Sequence, residues 1–238
     1  MRPIVSETEN VCLLADAYRA LWETPEGVEQ VALVYGQSGL GKTTATNWLS
    51  LNNNGIFLRA TPLWTPNVML QRMTVEVGKE PRNRNQDMLD ALQESLTLHR
   101  RPIFIDEADM LFQTNNPGRL LETLRSVYDV ARCPVVLVGM ELIKAKIARW
   151  PQLNRRITQV VEFSPLSLTD ARQLTLDCCE VEVADDLLHD LHRQAGGSAG
   201  YLVNGLSRIE FHGKKLGGRP VTLADWKAVG QAYFLDRR

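Results

Sequence analysis

An apolar run, VALVY at residues 31–35, passes directly into GQSGLGKTT, and this junction constrains the fold more than any other feature of the chain. Gly36-Gln37-Ser38-Gly39-Leu40-Gly41-Lys42-Thr43 has the spacing G-x-x-x-x-G-K-[ST], with Thr44 following. A loop of this kind turns successive backbone N–H groups inward onto phosphate oxygens, and its glycines permit both the turn and the close approach. The helix that follows presents its positive N-terminal end to the anion. Lys42 is placed to reach the β- and γ-phosphates, and the Thr43 hydroxyl to ligand Mg²⁺. Residues 36–44 are therefore the expected nucleotide-binding segment. The loop needs a strand before it and a helix after it, as in a parallel sheet covered on both faces.

The rest of the chain to about residue 163 agrees. GIFLRA (55–60), PIFID (102–106), PVVLVG (134–139) and ITQVVEF (157–163) read as four further strands. Helical spacing is expected over Asn10–Glu23, Lys42–Leu51, Pro66–Val77, Asn85–Leu98, Gly118–Ala131 and from Glu141 into Trp150. After SPLSL no strand pattern remains. Helices are expected over Thr169–Cys179, Ala184–Ala195, Ser198–Phe211 and Leu223–Ala232, with Ser198 and Thr222 as N-caps. The reading is an α/β nucleotide domain over residues 1–165, including a short N-terminal helix, and a small helical domain over 166–238.

In an open parallel sheet, ligands sit at the carboxyl ends of the strands. Asp106 ends the third strand, within reach of a Mg²⁺ ion beside Thr43. Glu107, one step on, can orient and deprotonate a water that attacks the γ-phosphate. A metabolite kinase has less need of this second carboxylate, because its nucleophile arrives on the substrate. The pair points to hydrolysis.

Composition narrows the setting. The 238 residues are 44% hydrophobic and 23% charged, as in an ordinary soluble globular protein. No apolar run is long enough for a membrane span, and the N-terminus lacks a secretory signal pattern, so a cytoplasmic location is expected. Cys12, Cys133, Cys178 and Cys179 form no metal-spaced set and are expected to be free thiols. A net charge of −1 gives no overall attraction to nucleic acid, so any DNA contact must come from a local patch.

GQSGLGKTT, PIFIDEADML, PVVLVGMELIKAKI and LNRRITQVVEFSPLSLTDA together resemble the AAA+ ATPases. The chain is most similar to the branch that holds the phage Mu B transposition protein, TnsC-type regulators and ExeA-like ATPases, over roughly residues 28–210. The resemblance implies a five-stranded parallel core flanked by helices with a small α-helical lid. It also implies ATP and Mg²⁺ as cofactors and assembly into homo-oligomeric rings or filaments with ATP between subunits. Arg155 and Arg156 lie where the family places an arginine that reaches a neighbour's γ-phosphate, a device worth about 10³–10⁵ in turnover. Two positions depart from the family pattern. Gly139-Met140 stands where many relatives carry a polar residue, and Gly200-Tyr201 where the lid usually offers an arginine. Both imply slow hydrolysis, below about 10 s⁻¹.

By the same resemblance the connector GKEPRNRN (78–85) faces a central channel. Its Lys79, Arg82 and Arg84 suit non-specific contacts with the phosphates of double-stranded DNA. Two further basic clusters are Lys144, Lys146 and Arg149, and Arg208, Lys214, Lys215 and Arg219. The leading expectation is a DNA-binding regulator of transposition that oligomerises on target DNA and presents it to a transposase or other recombination protein. The alternative is an ExeA-like ATPase that assembles a protein complex without binding DNA.

Overall fold

The computed structural model describes residues 1–25 and 27–234. Five strands, β1 (Val31–Gly36), β2 (Ile56–Arg59), β3 (Ile103–Asp106), β4 (Val135–Val138) and β5 (Ile157–Phe163), form one parallel sheet of order β2-β3-β4-β1-β5. The register places Val31 beside Val135, Ile103 beside Val135, and Arg59 beside Asp106. All residues of β1, β3 and β4 are buried, which is why these strands read as apolar runs with no alternation, up to Asp106 at the end of β3.

The helices are α1 (Glu9–Glu23), α2 (Lys42–Asn52), α3 (Pro66–Glu76), α4 (Asn85–Leu98), α5 (Pro117–Ala131), α6 (Ile143–Ala148), α7 (Pro151–Asn154), α8 (Leu168–Cys178), α9 (Asp185–Ala195), α10 (Ala199–Gly213) and α11 (Leu223–Val229). Their starts follow local chemistry. Thr65 and Asn116 cap α3 and α5, each ahead of a proline in the first turn, and Ser167–Asp170 and Thr222–Asp225 form capping boxes on α8 and α11. Within the helical stretch expected from Glu141 into Trp150 the helix covers Ile143–Ala148, and Pro151, which has no N–H to continue a helix, starts a further short one outside the expected stretches. The last helix stops at Val229, short of Ala232, where Gly230 takes the left-handed cap.

The chain divides into two compact units, one of Leu14–Gly36 and Lys42–Glu162, the other of Met1–Leu13, Gln37–Gly41 and the chain from Phe163 onward. This differs from a single cut near 165: the first thirteen residues and the middle of the phosphate loop group with the C-terminal helices. The sheet unit packs Leu33, Ile56, Met69, Leu92, Ile105, Leu124 and Leu137 into one core. The helical unit buries Leu174, Leu187, Leu191, Leu202, Leu206 and Ile209. Trp226 and Tyr233 belong to that second core, stacked at 5.0 Å between ring centres.

The four cysteines are free thiols, Cys12 exposed and the others buried, and burial pushes Cys133 up to about 12. No helix among the described residues is long and apolar enough to cross a membrane.

Candidate nucleotide site

Within the loop, Gly39 and Gly41 have φ of +81° and +89°, in the left-handed region that favours glycine. Gln37, Ser38 and Gly39 are exposed, whereas Leu40 is buried as an anchor. In the helical unit the Gly39 carbonyl accepts hydrogen bonds from the Gly200 N–H (3.0 Å) and the Ser198 hydroxyl (3.2 Å). A Cβ on Gly39 would stand 2.8 Å from Ser198 Oγ, so close approach as well as backbone angle requires glycine there. Ser198 is at the same time the N-cap of α10. The first turn of that helix, where Gly200-Tyr201 departs from the expected arginine, is thus tied to the loop backbone.

In the sheet unit, α2 begins at Lys42, which is buried and donates from Nζ to the Gly36 carbonyl at 2.7 Å. Burial pulls the Lys42 ammonium below the usual lysine value, and the carboxylates of Glu107, Asp106 and Asp109 work against that pull. The Thr43 hydroxyl donates to Asp106 Oδ2 at 3.0 Å, while Thr44 points to solvent. Asp106 is only 3% exposed.

A hydroxyl and a buried carboxylate in contact form a hard oxygen pair. This suits Mg²⁺, which keeps several waters and draws its remaining ligands from phosphate oxygens. No cluster of three or more His, Cys, Asp or Glu among the described residues is arranged to hold a metal by itself. The residues present therefore fit a nucleotide-borne Mg²⁺ better than a resident ion.

Glu107 sits where β3 gives way to a 3-10 helix, Ala108–Gln113, with a left-handed φ of +53°. Its Oε1 lies 3.2 Å from Arg59 Nη2 at the end of β2. Sequence reasoning missed Arg59. The signal was an arginine closing an otherwise apolar strand, and the parallel register of β2 and β3 converts that into proximity to the acid pair.

Arg155 and Arg156 have opposite fates. Arg156 is 8% exposed, donates to the Gln152 carbonyl at 2.7 Å and to Asp129 at 3.3 Å, and places Nε 3.6 Å from Glu29. Two carboxylates and a carbonyl of its own chain thus engage this guanidinium. Arg155, one residue earlier at the end of α7, is exposed.

The basic clusters also separate. Lys79 donates to Glu94 and to the Ala91 carbonyl, both at 3.1 Å, whereas Arg82 and Arg84 in the α3–α4 connector are exposed. Lys146 is paired with Asp109, Lys144 lies over the Tyr35 ring, and Arg149 is exposed. In the helical unit, Arg208 donates to the Ala232 carbonyl, Lys214 is paired with Glu180 and Glu210, and Arg219 grips Asp225 with two nitrogens.

The chain is 24% identical over 177 residues to a potential ATP-binding protein of Staphylococcus aureus, covering 61% of this chain and 64% of that one. It spans less than two thirds of the length of the curated relatives it matches. Its fold resembles the Aeropyrum pernix ORC2 protein solved in ADPNP–ADP complexes, with a TM-score of 0.70 at 16% identity over 97% of this chain and 70% of that one. It also resembles the Aeropyrum pernix ORC1 protein in complex with DNA, with a TM-score of 0.64 at 15% identity over 96% and 66%. The AAA domain family model matches residues 26–147, just over half of the chain and the span that carries the phosphate loop and the acid pair. The chain belongs to the AAA domain family of ATPases.

Proposed function

We propose that this ATPase is a nucleotide-timed, DNA-binding switch that oligomerises on double-stranded DNA, with slow hydrolysis ending each assembled state. In this reading residues 36–44 hold the phosphates of ATP and Lys42 neutralises the β- and γ-phosphates. Thr43 and Asp106 would hold Mg²⁺, which when bound supplies further positive charge to the phosphate oxygens. Glu107 takes the proton from a water as its oxygen bonds to the γ-phosphorus. The bond from that phosphorus to the bridging oxygen breaks, and ADP leaves with the electron pair.

The observation that carries the reading is the pairing of Glu107 with Arg59 inside the chain while Arg155 stays exposed. The base is restrained, and the exposed cation is suited to a neighbour's nucleotide. Turnover then depends on assembly, and bound ATP acts as a clock. Arg82 and Arg84 supply the DNA contacts, in keeping with a fold shared with a protein solved in complex with DNA. Within this class, the sequence resemblance to Mu B and TnsC-type proteins favours regulation of transposition in the cytoplasm, with a transposase or other recombination protein as partner.

Fluorescence anisotropy with labelled duplex DNA at low salt tests the reading. Tight, sequence-independent binding is expected with a non-hydrolysable ATP analogue, weak binding with ADP, and none for Lys42→Ala under either condition. If the wild-type protein assembles with the analogue yet ignores DNA, the protein-only, ExeA-like reading replaces this one.

A further inference from the structure

We infer that Asp109 and Lys146 form a positioning pair that holds the Glu107 turn in its working shape and ties it to α6. The inference rests on Glu107 serving as the base.

Asp109 lies two residues past Glu107, on the 3-10 helix, and is 2% exposed. Its two oxygens are separately engaged. Oδ2 accepts the Met140 N–H at 2.5 Å, at the end of β4, and Oδ1 takes the Lys146 ammonium at 2.9 Å, from α6. Gly139 makes this possible: a Cβ there would fall 2.5 Å from Asp109 Oδ2 and 2.3 Å from Ile143 Cδ1. The side chain absent at 139 is thus replaced in space by the Asp109 carboxylate.

The geometry gives this arrangement a task. Glu107 has a left-handed backbone, a conformation that persists in a non-glycine residue only where its surroundings hold it. Upstream the turn is fixed by the pairing of β3 with its neighbours. Downstream, Asp109 is the anchor. Among the described residues Lys146 is its ion-pair partner, and a buried carboxylate stripped of its cation is left uncompensated. Asp109 also contributes, with Asp106 and Glu107, to the field felt by Lys42, so the pair stands within electrostatic reach of the phosphate-binding lysine.

The test uses Lys146→Met, Lys146→Arg and Glu107→Gln, with steady-state turnover at saturating ATP and binding of a fluorescent ADP analogue. Lys146 is about one third exposed, so its side chain is not part of the apolar core. Lys146→Met is expected to lower turnover on the order of ten- to a hundredfold, the scale of a small misplacement of a reacting group. It is expected to change the ADP analogue's affinity only a few-fold, and Lys146→Arg should restore most of the turnover. The double variant Asp109→Asn/Lys146→Met should be no slower than Lys146→Met alone, because the two residues act as one unit. Wild-type turnover in Lys146→Met, or failure of Lys146→Arg to restore it, overturns the pair's role. Wild-type turnover in Glu107→Gln overturns the assignment of the base instead, and the two failures are read from different variants.

Discussion

At the scale of single residues, the contact between Arg59 and Glu107 sets how firmly the site is restrained. The Arg59 side chain is 67% exposed and that of Glu107 32% exposed, so water screens the pair and its worth is about 0–1 kcal/mol. Releasing Glu107 by Arg59→Ala is therefore expected to raise basal ATP turnover only modestly, by about two- to fivefold, with nucleotide affinity unchanged. Glu107→Gln should lower turnover by about 10²–10⁴ while ATP still binds, the loss typical of a missing general base. Both are measured by phosphate release under saturating ATP. A fall in turnover for Arg59→Ala would mean that the arginine aims the carboxylate and does not withhold it. Arg59 also shows why sequence reading stopped short here. GIFLRA identifies a strand, but the partner of its arginine is fixed only by sheet order and register, which bring residue 59 beside 106 across a gap of nearly fifty residues.

At the scale of elements, the strands and most helices were legible because each carries its own chemistry. Fully buried parallel strands read as apolar runs, broken in β3 only by Asp106 at its carboxyl end, and Thr65-Pro66, Asn116-Pro117, Ser167 and Thr222 announce helix starts. The loop motif marks Thr43 and the end of the third strand marks Asp106, and the fold brings the two into contact. The segment from α6 to β5 was not legible in the same way. A proline starts a further short helix there, and which of two adjacent arginines turns inward depends on Glu29 and Asp129, which lie far apart in sequence.

That segment yields a paired prediction. Arg156→Ala leaves two carboxylates facing a vacated guanidinium site and is expected to cost roughly 2–4 kcal/mol, since removing one partner of a buried ion pair costs far more than the pair is worth. In a calorimetric melt this corresponds to a fall in Tm of roughly 5–10 °C. Arg155→Ala should leave the Tm within about a degree, as surface substitutions do. It should nevertheless reduce turnover of the assembled protein by about 10³ or more, the scale of a finger supplied in trans. Equal loss of stability in both variants would remove Arg155 from the site and leave the pair purely structural.

At the scale of the whole molecule, the charge balance decides how DNA can be held. With 27 basic and 28 acidic residues the protein has no general affinity for a polyanion, so the proposed DNA binding would have to come from those cations left uncommitted by the fold. Lys79, Lys146, Lys214 and Arg219 already face carboxylates, and of the connector's basic residues Arg82 and Arg84 are the ones exposed. Each phosphate neutralised releases condensed counterions and adds about 0.9 to the slope of log K against log salt for duplex DNA. Replacing Arg82 and Arg84 together by alanine is therefore expected to lower that slope by about two for each subunit in contact, and to weaken binding uniformly across sequences. Lys79→Ala should change it little, because the lysine gives up Glu94 before it can reach a phosphate. A salt titration of duplex binding in the presence of ATP analogue separates these outcomes. A slope unaltered by the double replacement would move the interface away from the connector, and the exposed Arg149 would be the next residue to test. On the proposed assembly the effect would multiply with every subunit on the DNA, so that two arginines per chain would be enough for an almost neutral protein to bind tightly once assembled.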